Sequence, residues 1–304
     1  MSPASLSYGS ARLRFTHQPP GPHSAHESEN PGDRVHTMTA PAPSQEFAGT
    51  VTLVTGAASG IGAASARRFA AAGATVAILD VDLQGAQSVS AELTAQGYRA
   101  HAFECDVADD DSVERAVAAV AERLGPISAA HVNASIMIPG GDALAIPVEH
   151  WDRTFAINCR GAFMTARAVL RNMVVTGTRG SLCFTGSDTA LRTSRACPAY
   201  LSTKHAVIGI ARSIAVDFGG LGIRSNIVTP GVTETPGLHD LYSSEGRNPQ
   251  EVMDFHAKLS VLGRIAQPDD LAEAVVYLCS SRAQFITGAN LVVDGGMTIR
   301  YDAE

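Results

Sequence analysis

The sequence predicts an α/β fold, a single doubly wound domain built around a seven-stranded parallel sheet. Three observations predict it. From Thr50 onward, short β-branched runs alternate with longer Ala-rich stretches of helical period, the pattern of βαβ units. The alternation continues without a linker or an internal repeat. A content of 45% hydrophobic and 17% charged residues is that of a globular chain with a substantial core. The 304 residues suffice for one large domain or two small ones, and the unbroken rhythm favours one.

Strands are expected near residues 51–54, 75–79, 100–104, 129–132, 181–184, 223–228 and 291–293, with helices near 61–72, 84–96, 111–124, 148–174, 198–218 and 269–281. Residues 236–263 break the rhythm, being longer than an ordinary connection. Their apolar residues, among them Leu238, Leu241, Tyr242, Val252, Met253, Phe255 and Leu259, are read as a mobile lid over an apolar substrate pocket. Residues 1–46 are rich in Ser, Pro, His and Gly and lack an apolar signal-peptide core. They read as a dispensable disordered extension, with Met38 as an alternative start, and residues 47–304 as the folded domain.

Composition narrows the function classes. A net charge of −7 argues against binding nucleic acid, which needs clustered Lys and Arg. No run of about 20 apolar residues is present to span a bilayer, so a soluble, cytoplasmic protein is expected. Five cysteines, Cys105, Cys159, Cys183, Cys197 and Cys279, show no paired spacing and read as reduced, inert thiols. No His, Cys or carboxylate cluster has metal-ligand spacing, and His131 and His205 are read as structural.

The first strand runs into Thr55-Gly56-Ala57-Ala58-Ser59-Gly60-Ile61-Gly62 and then a helix. Gly56 permits a tight turn, Gly60 a close approach of backbone to a pyrophosphate, and Gly62 close packing of helix on strand. The helix N-terminus offers free N–H groups to phosphates. Asp80 ends the second strand about 20 residues on, where a carboxylate accepts hydrogen bonds from ribose hydroxyls. It would also repel a 2′-phosphate, and no Arg or Lys in the glycine loop or just after Asp80 offsets it, so NAD is expected rather than NADP. Asp106, ending the third strand, either contacts adenine or caps the next turn.

Tyr200 and Lys204 stand at i and i+4 near the start of a helix and share one face. An ammonium close to a phenol stabilises phenolate and draws its pKa toward the working range. A carbonyl that gains hydride at carbon develops negative charge on oxygen and needs donors aimed there, which Ser187 and Tyr200 can supply. Asn158 lies within the long expected helix, where it is either functional or a buried kink satisfied by backbone.

Taken together, the glycine pattern, Asp80, Asp106, Asn158, Ser187, Tyr200-x-x-x-Lys204 and Pro230-Gly231 resemble the classical short-chain dehydrogenase/reductase family, a Rossmann-fold family, from about residue 49 to 298. The resemblance implies that Tyr200 is the general acid/base, that Ser187 orients the substrate oxygen and that Lys204 binds the nicotinamide ribose. Asn158 would hold a water in a proton relay. It implies a cofactor site of Gly56, Ser59, Gly60, Ile61, Gly62, Asp80, Asp106, Val107, Asn133, Tyr200, Lys204, Pro230, Gly231, Val232 and Thr235. It also implies a homotetramer that uses the long helices and the C-terminal strand.

One departure stands out: the family's Asn-Asn-Ala-Gly is here Val132-Asn133-Ala134-Ser135, which adds a side chain where backbone would run near the cofactor. The expected activity is NAD(H)-dependent hydride transfer to or from an uncharged, fairly hydrophobic secondary alcohol or ketone. Arg192 and Arg195 are the reservation, since either could bind an anionic group. An NADPH-dependent 3-oxoacyl-thioester reductase is the alternative, and a non-catalytic nucleotide-binding regulatory protein the alternative of another class.

Overall fold

The computed structural model describes residues 45–300 apart from 140 and 194, so most of the expected extension, Met38 included, lies outside the described residues. Strands β1 (Val51–Thr55), β2 (Thr75–Asp80), β3 (Arg99–Glu104), β4 (Ile127–Val132), β5 (Ser181–Thr185), β6 (Arg224–Pro230) and β7 (Asn290–Val293) form one sheet. Their order is β3-β2-β1-β4-β5-β6-β7, and every neighbouring pair is parallel. The chain works outward from β1 to β3, returns to β4 and works outward again to β7. The crevice past the carboxyl ends of β1 and β4 is therefore the switch point where such sheets bind ligands.

All five residues of β1 and all five of β5 are buried, as expected of central strands covered on both faces. One face packs against α3 (Asp110–Leu124), α5 (Ala162–Thr176) and α6 (Pro198–Phe218) through Val113, Val169, Met173 and Val207. The other packs against α1 (Gly60–Ala71), α2 (Leu83–Ala95) and α9 (Pro268–Cys279) through Phe69, Val89, Leu93 and Val275. Phe47, 4% exposed, meets Phe69 edge to face at 5.1 Å, and Glu46 Oε1 accepts from Arg282 Nε at 2.7 Å. The folded body thus includes Glu46, which the sequence assigns to the extension.

The helix expected over 148–174 is interrupted. α4 (Val148–Phe155) passes into a π-helical turn, Ala156–Gly161, before α5 begins. Two packing demands fall on that turn. Asn158 reaches the main chain of Ile136, and a Cβ on Gly161 would sit 2.7 Å from the Val107 carbonyl oxygen. A widened turn carrying one extra residue lets the helix meet both.

The expected lid consists of α7 (Pro236–Ser244) and α8 (Pro249–Leu259). Its two ends are clamped by a parallel bridge between Thr233 and Ala266, where Ala266 N–H donates to Val232 O at 3.0 Å and Glu234 N–H to Ala266 O at 2.8 Å. Leu241, Val252 and Met253 are buried in packing while Phe255 is 57% exposed. Leu238, Tyr242 and Leu259 are partly exposed. The five cysteines are free and all but Cys159 are buried. Among the described residues no helix is long and apolar enough to cross a membrane, and no three His, Cys, Asp or Glu side chains gather as a metal site.

Candidate active site

The turn after β1 has the geometry its glycines suggest. Gly56 and Gly60 have φ of +63° and +54°, a region that strains any residue with a Cβ. A Cβ on Gly62 would lie 2.0 Å from the Gly56 carbonyl oxygen, so only glycine fits where α1 crosses the turn. Ser59, the residue before α1, makes no side-chain cap, and the first turn carries no acid. The N–H groups of Gly60, Ile61 and Gly62 are thus presented where an anion is favoured. The cradle fits a dinucleotide pyrophosphate. On its far side Thr235 approaches, its Cγ2 3.2 Å from a Cβ built on Gly60.

Asp80 serves the turn as well as any ligand: Oδ2 accepts from Ala58 N–H at 2.9 Å and Oδ1 from Asp82 N–H at 3.0 Å. Each oxygen retains a lone pair, and the carboxylate is held at the rim of the cradle. Asp106 is exposed and caps the next turn through Ala108 N–H at 2.9 Å. Val107 beside it is buried against Gly161.

Asn133 ties three strand ends together. Its Nδ2 donates to the carbonyls of Thr55 and Gly56, both at 3.1 Å, which leaves Oδ1 to accept from Thr185 Oγ1 at 2.9 Å. With the only Thr185 hydroxyl proton committed, His131 Nε2, 2.9 Å from that hydroxyl, must be the donor. This fixes the neutral Nε2–H tautomer, with Nδ1 lacking a partner. Burial first, and the charge of Lys204 second, hold the His131 pKa down to about 3. The structural reading of His131 fits this, and Thr185, which the sequence did not single out, links Asn133 at the glycine turn to Lys204 of α6. Ser135 is exposed and lies outside the left-handed region, so its Cβ causes no backbone strain.

Tyr200 and Lys204 lie in the first turns of α6, beside the end of β5, and Ser187 follows β5 by two residues. Ser187 lies beside the Tyr200 phenol, and the Lys204 Nζ is 5.4 Å from the phenol ring centroid. Lys204, 2% exposed, donates to the Thr185 carbonyl at 3.0 Å, and burial brings its pKa down to about 7. For Tyr200, burial outweighs any lowering by the lysine. It pushes the phenol up to about 12, with Ser187 pulling down and Asp188 pushing up. The phenol is therefore protonated near neutrality and poised to donate.

Asn158, 1% exposed, accepts from Ile136 N–H at 2.8 Å and donates to Ile136 O at 2.7 Å and to Thr203 Oγ1 at 3.3 Å. It is a buried residue of the helix interruption, satisfied by backbone, and it fastens the segment after β4 to α6. Past β6, Gly231 N–H donates to Val293 O at 3.0 Å, and a Cβ there would crowd Asp294 at 2.9 Å. Pro230, Gly231, Val232 and Thr235 thus follow a fixed path to α7, which Thr235 caps by accepting from Leu238 N–H at 3.2 Å.

Of the two arginines held in reserve for an anionic substrate, Arg192 is already engaged. Its Nε and Nη2 donate to Asp188 Oδ2 at 3.1 and 2.8 Å, and Nη2 reaches Met297 Sδ at 2.6 Å. Arg195 is exposed. Like Thr185, Asp188, 6% exposed and next to Ser187, is not singled out in the sequence. Its signal was the spacing Asp188-x-x-x-Arg192 directly after the serine.

Comparisons with known proteins show what the whole chain is similar to. A family model described as enoyl-(acyl carrier protein) reductase matches residues 56–298. The chain is 38% identical over 252 residues to D-threitol dehydrogenase of Mycolicibacterium smegmatis, covering 83% of this chain and 94% of that protein. It is 36% identical over 254 residues to cis-4-hydroxycyclohexanecarboxylate dehydrogenase of Sinomonas cyclohexanicum, covering 84% and 98%. The solved structure of levodione reductase superposes with a TM-score of 0.80 at 30% identity, covering 84% of this chain and 100% of that one.

Proposed function

Since the chain belongs to the classical short-chain dehydrogenase/reductase family, we propose that it moves hydride between NAD and a secondary alcohol or ketone, with Tyr200 as acid/base. Family membership makes it an oxidoreductase of the kind whose relatives are dehydrogenases and reductases acting with a nicotinamide cofactor. The observation that carries the reading is the meeting of Tyr200, Ser187 and Lys204 at the carboxyl edge of the sheet, beside the glycine turn.

When bound, the nicotinamide ring supplies or takes the hydride. In reduction Tyr200 gives its proton to the substrate oxygen while Ser187 donates to the same oxygen, so charge developing there meets two donors. In oxidation Tyr200 must first lose that proton, which Lys204 favours when charged. NAD is preferred because Asp80 would face a 2′-phosphate with no cation beside it in sequence. Asp106, Val107 and Asn133 would line the adenosine and ribose side, and Val232 and Thr235 the nicotinamide side. Asp80 also speaks against an NADPH-linked 3-oxoacyl-thioester reductase, and the intact Tyr200–Lys204 pair against a non-catalytic role.

A second copy of the chain is the proposed partner. An apolar groove of about 640 Å³ runs along α5 and α6 past Phe163, Val174 and Ile210. Arg167 and Arg171, which share Glu114, lie in the same groove as Asp217, so two copies related by a twofold axis can pair opposite charges. A tetramer would add the exposed face of β7. The test of the function is turnover of cyclic, aromatic, sugar and hydroxyacyl alcohols with NAD and with NADP. Equal use of the two cofactors would reject the NAD assignment, and no turnover with either would reject the activity.

A further inference from the structure

We propose that Asp188 accepts a hydrogen bond from a second substrate hydroxyl, so that the substrate is a neutral vicinal diol or polyol oxidised at the neighbouring carbon. This rests on the reading of Tyr200 and Ser187 as the reacting centre.

The Asp188 carboxylate is 6% exposed, and its two oxygens are used unequally. Oδ2 takes both Arg192 contacts, at 3.1 and 2.8 Å, whereas Oδ1 has one long contact from Ser187 Oγ at 3.4 Å. A carboxylate can accept about four hydrogen bonds, so Oδ1 keeps unused capacity next to the hydroxyl that orients the reacting oxygen. The Asp188 charge also acts on Tyr200, on Tyr242 of α7 and on His256 of α8. One neighbourhood therefore joins the catalytic tyrosine to both lid helices. His256 brings a buried Nδ1 with no partner, and burial first and Arg192 second keep its ring neutral.

The chemistry that suits this neighbourhood can be found by elimination. An alkyl group laid on Asp188 would strip a carboxylate of water and give nothing back. A substrate anion would face Asp188, and Arg192 is already engaged there. A cation would meet Arg192 and Arg247, both of which oppose positive charge on His256. A neutral hydroxyl donates to Oδ1 and can turn its own lone pair toward a lid donor. Ser187 and Asp188 are consecutive and their side-chain oxygens are in contact, so the two substrate oxygens they hold belong on adjacent carbons.

The test is kcat/KM with NAD for matched pairs, a vicinal butanediol against secondary butanol and a vicinal cyclohexanediol against cyclohexanol. The wild type should favour the diol of at least one pair by about 100-fold, the order expected for one hydrogen bond to a charged group. The Asp188→Leu/Arg192→Met double variant, which leaves no orphan cation, should compress that ratio to within a few-fold. A ratio is insensitive to partial loss of folded enzyme. Equal wild-type turnover of both members of each pair, or an unchanged ratio in the double variant, would overturn the proposal while leaving the hydride-transfer reading intact. Turnover of neither member of either pair by wild type that binds NAD would overturn both.

Discussion

Lys204 directs its ammonium at the main-chain oxygen of Thr185, 3.0 Å away, from a site where only 2% of the residue is exposed. One hydrogen bond does not replace a hydration shell, and the pKa falls to about 7 from an ordinary 10.5. Between those values the unfolded chain binds the proton that the native protein has released. This lysine therefore makes stability rise with pH across that window, and its penalty is fully present below pH 7. Lys204→Met should remove that slope and stabilise the fold at pH 6, by on the order of 5 kcal/mol at most, while weakening turnover and cofactor binding. Denaturant unfolding of both proteins across the window checks this, and parallel pH profiles would contradict it.

Tyr200→Phe should keep cofactor affinity and lose about 100- to 10,000-fold in turnover, the usual worth of a positioned acid/base. Because burial sets the phenol near 12, oxidation needs the scarce phenolate and should accelerate as pH rises through the alkaline range. Reduction uses the abundant phenol and should not. Steady-state rates in both directions decide the matter, and an oxidation rate that falls with rising pH would remove Tyr200 as the base.

At Asp80, two functions separate by substitution. Asp80→Ala loses the ribose acceptor and both turn contacts, at Ala58 and Asp82, so NAD binding should weaken by roughly 1.5–3 kcal/mol and the NADP to NAD ratio should rise. Asp80→Asn keeps one acceptor oxygen for the turn while removing the charge. It should retain more stability than the alanine variant yet relax cofactor choice comparably. Titration calorimetry with each cofactor would show it, and unchanged discrimination in both variants would dismiss the carboxylate as the selector.

Asn158→Ala should release the segment after β4, because Ile136 loses partners for both its N–H and its carbonyl. A cost of about 1–3 kcal/mol is expected for leaving buried groups unpaired. Hydrogen exchange at Ile136 should speed up while strand β4 stays protected. Uniform loss of protection through the sheet would instead mean that Asn158 supports the whole fold.

Sequence periodicity located every strand to within about two residues and gave α6 its bounds, because parallel strands and their covering helices differ in period and composition. It could not show the π-helical turn at Ala156–Gly161, since the cause lies in tertiary contacts to Ile136 and Val107 that no local pattern encodes. Helices α7 and α8 were visible as apolar content, but which residues face inward depends on what they pack against. Leu241 and Val252 are buried whereas Phe255 is exposed. Glycine, tyrosine and lysine positions were legible because their chemistry restricts residue choice. Thr185 and Asp188 were missed, since a threonine or an aspartate gains its role here only from neighbours distant in sequence or hidden by burial.

The bridge between Thr233 and Ala266 means that the chain leaves the sheet-bearing body and returns to it at adjoining points. What lies between is an excursion whose mouth is already closed. Because closure entropy grows only with the logarithm of loop length, helices there can be exchanged, lengthened or trimmed without re-registering β6 or β7. Under the proposed function, a change in this excursion can alter which substrate is admitted while the strands beneath keep their register.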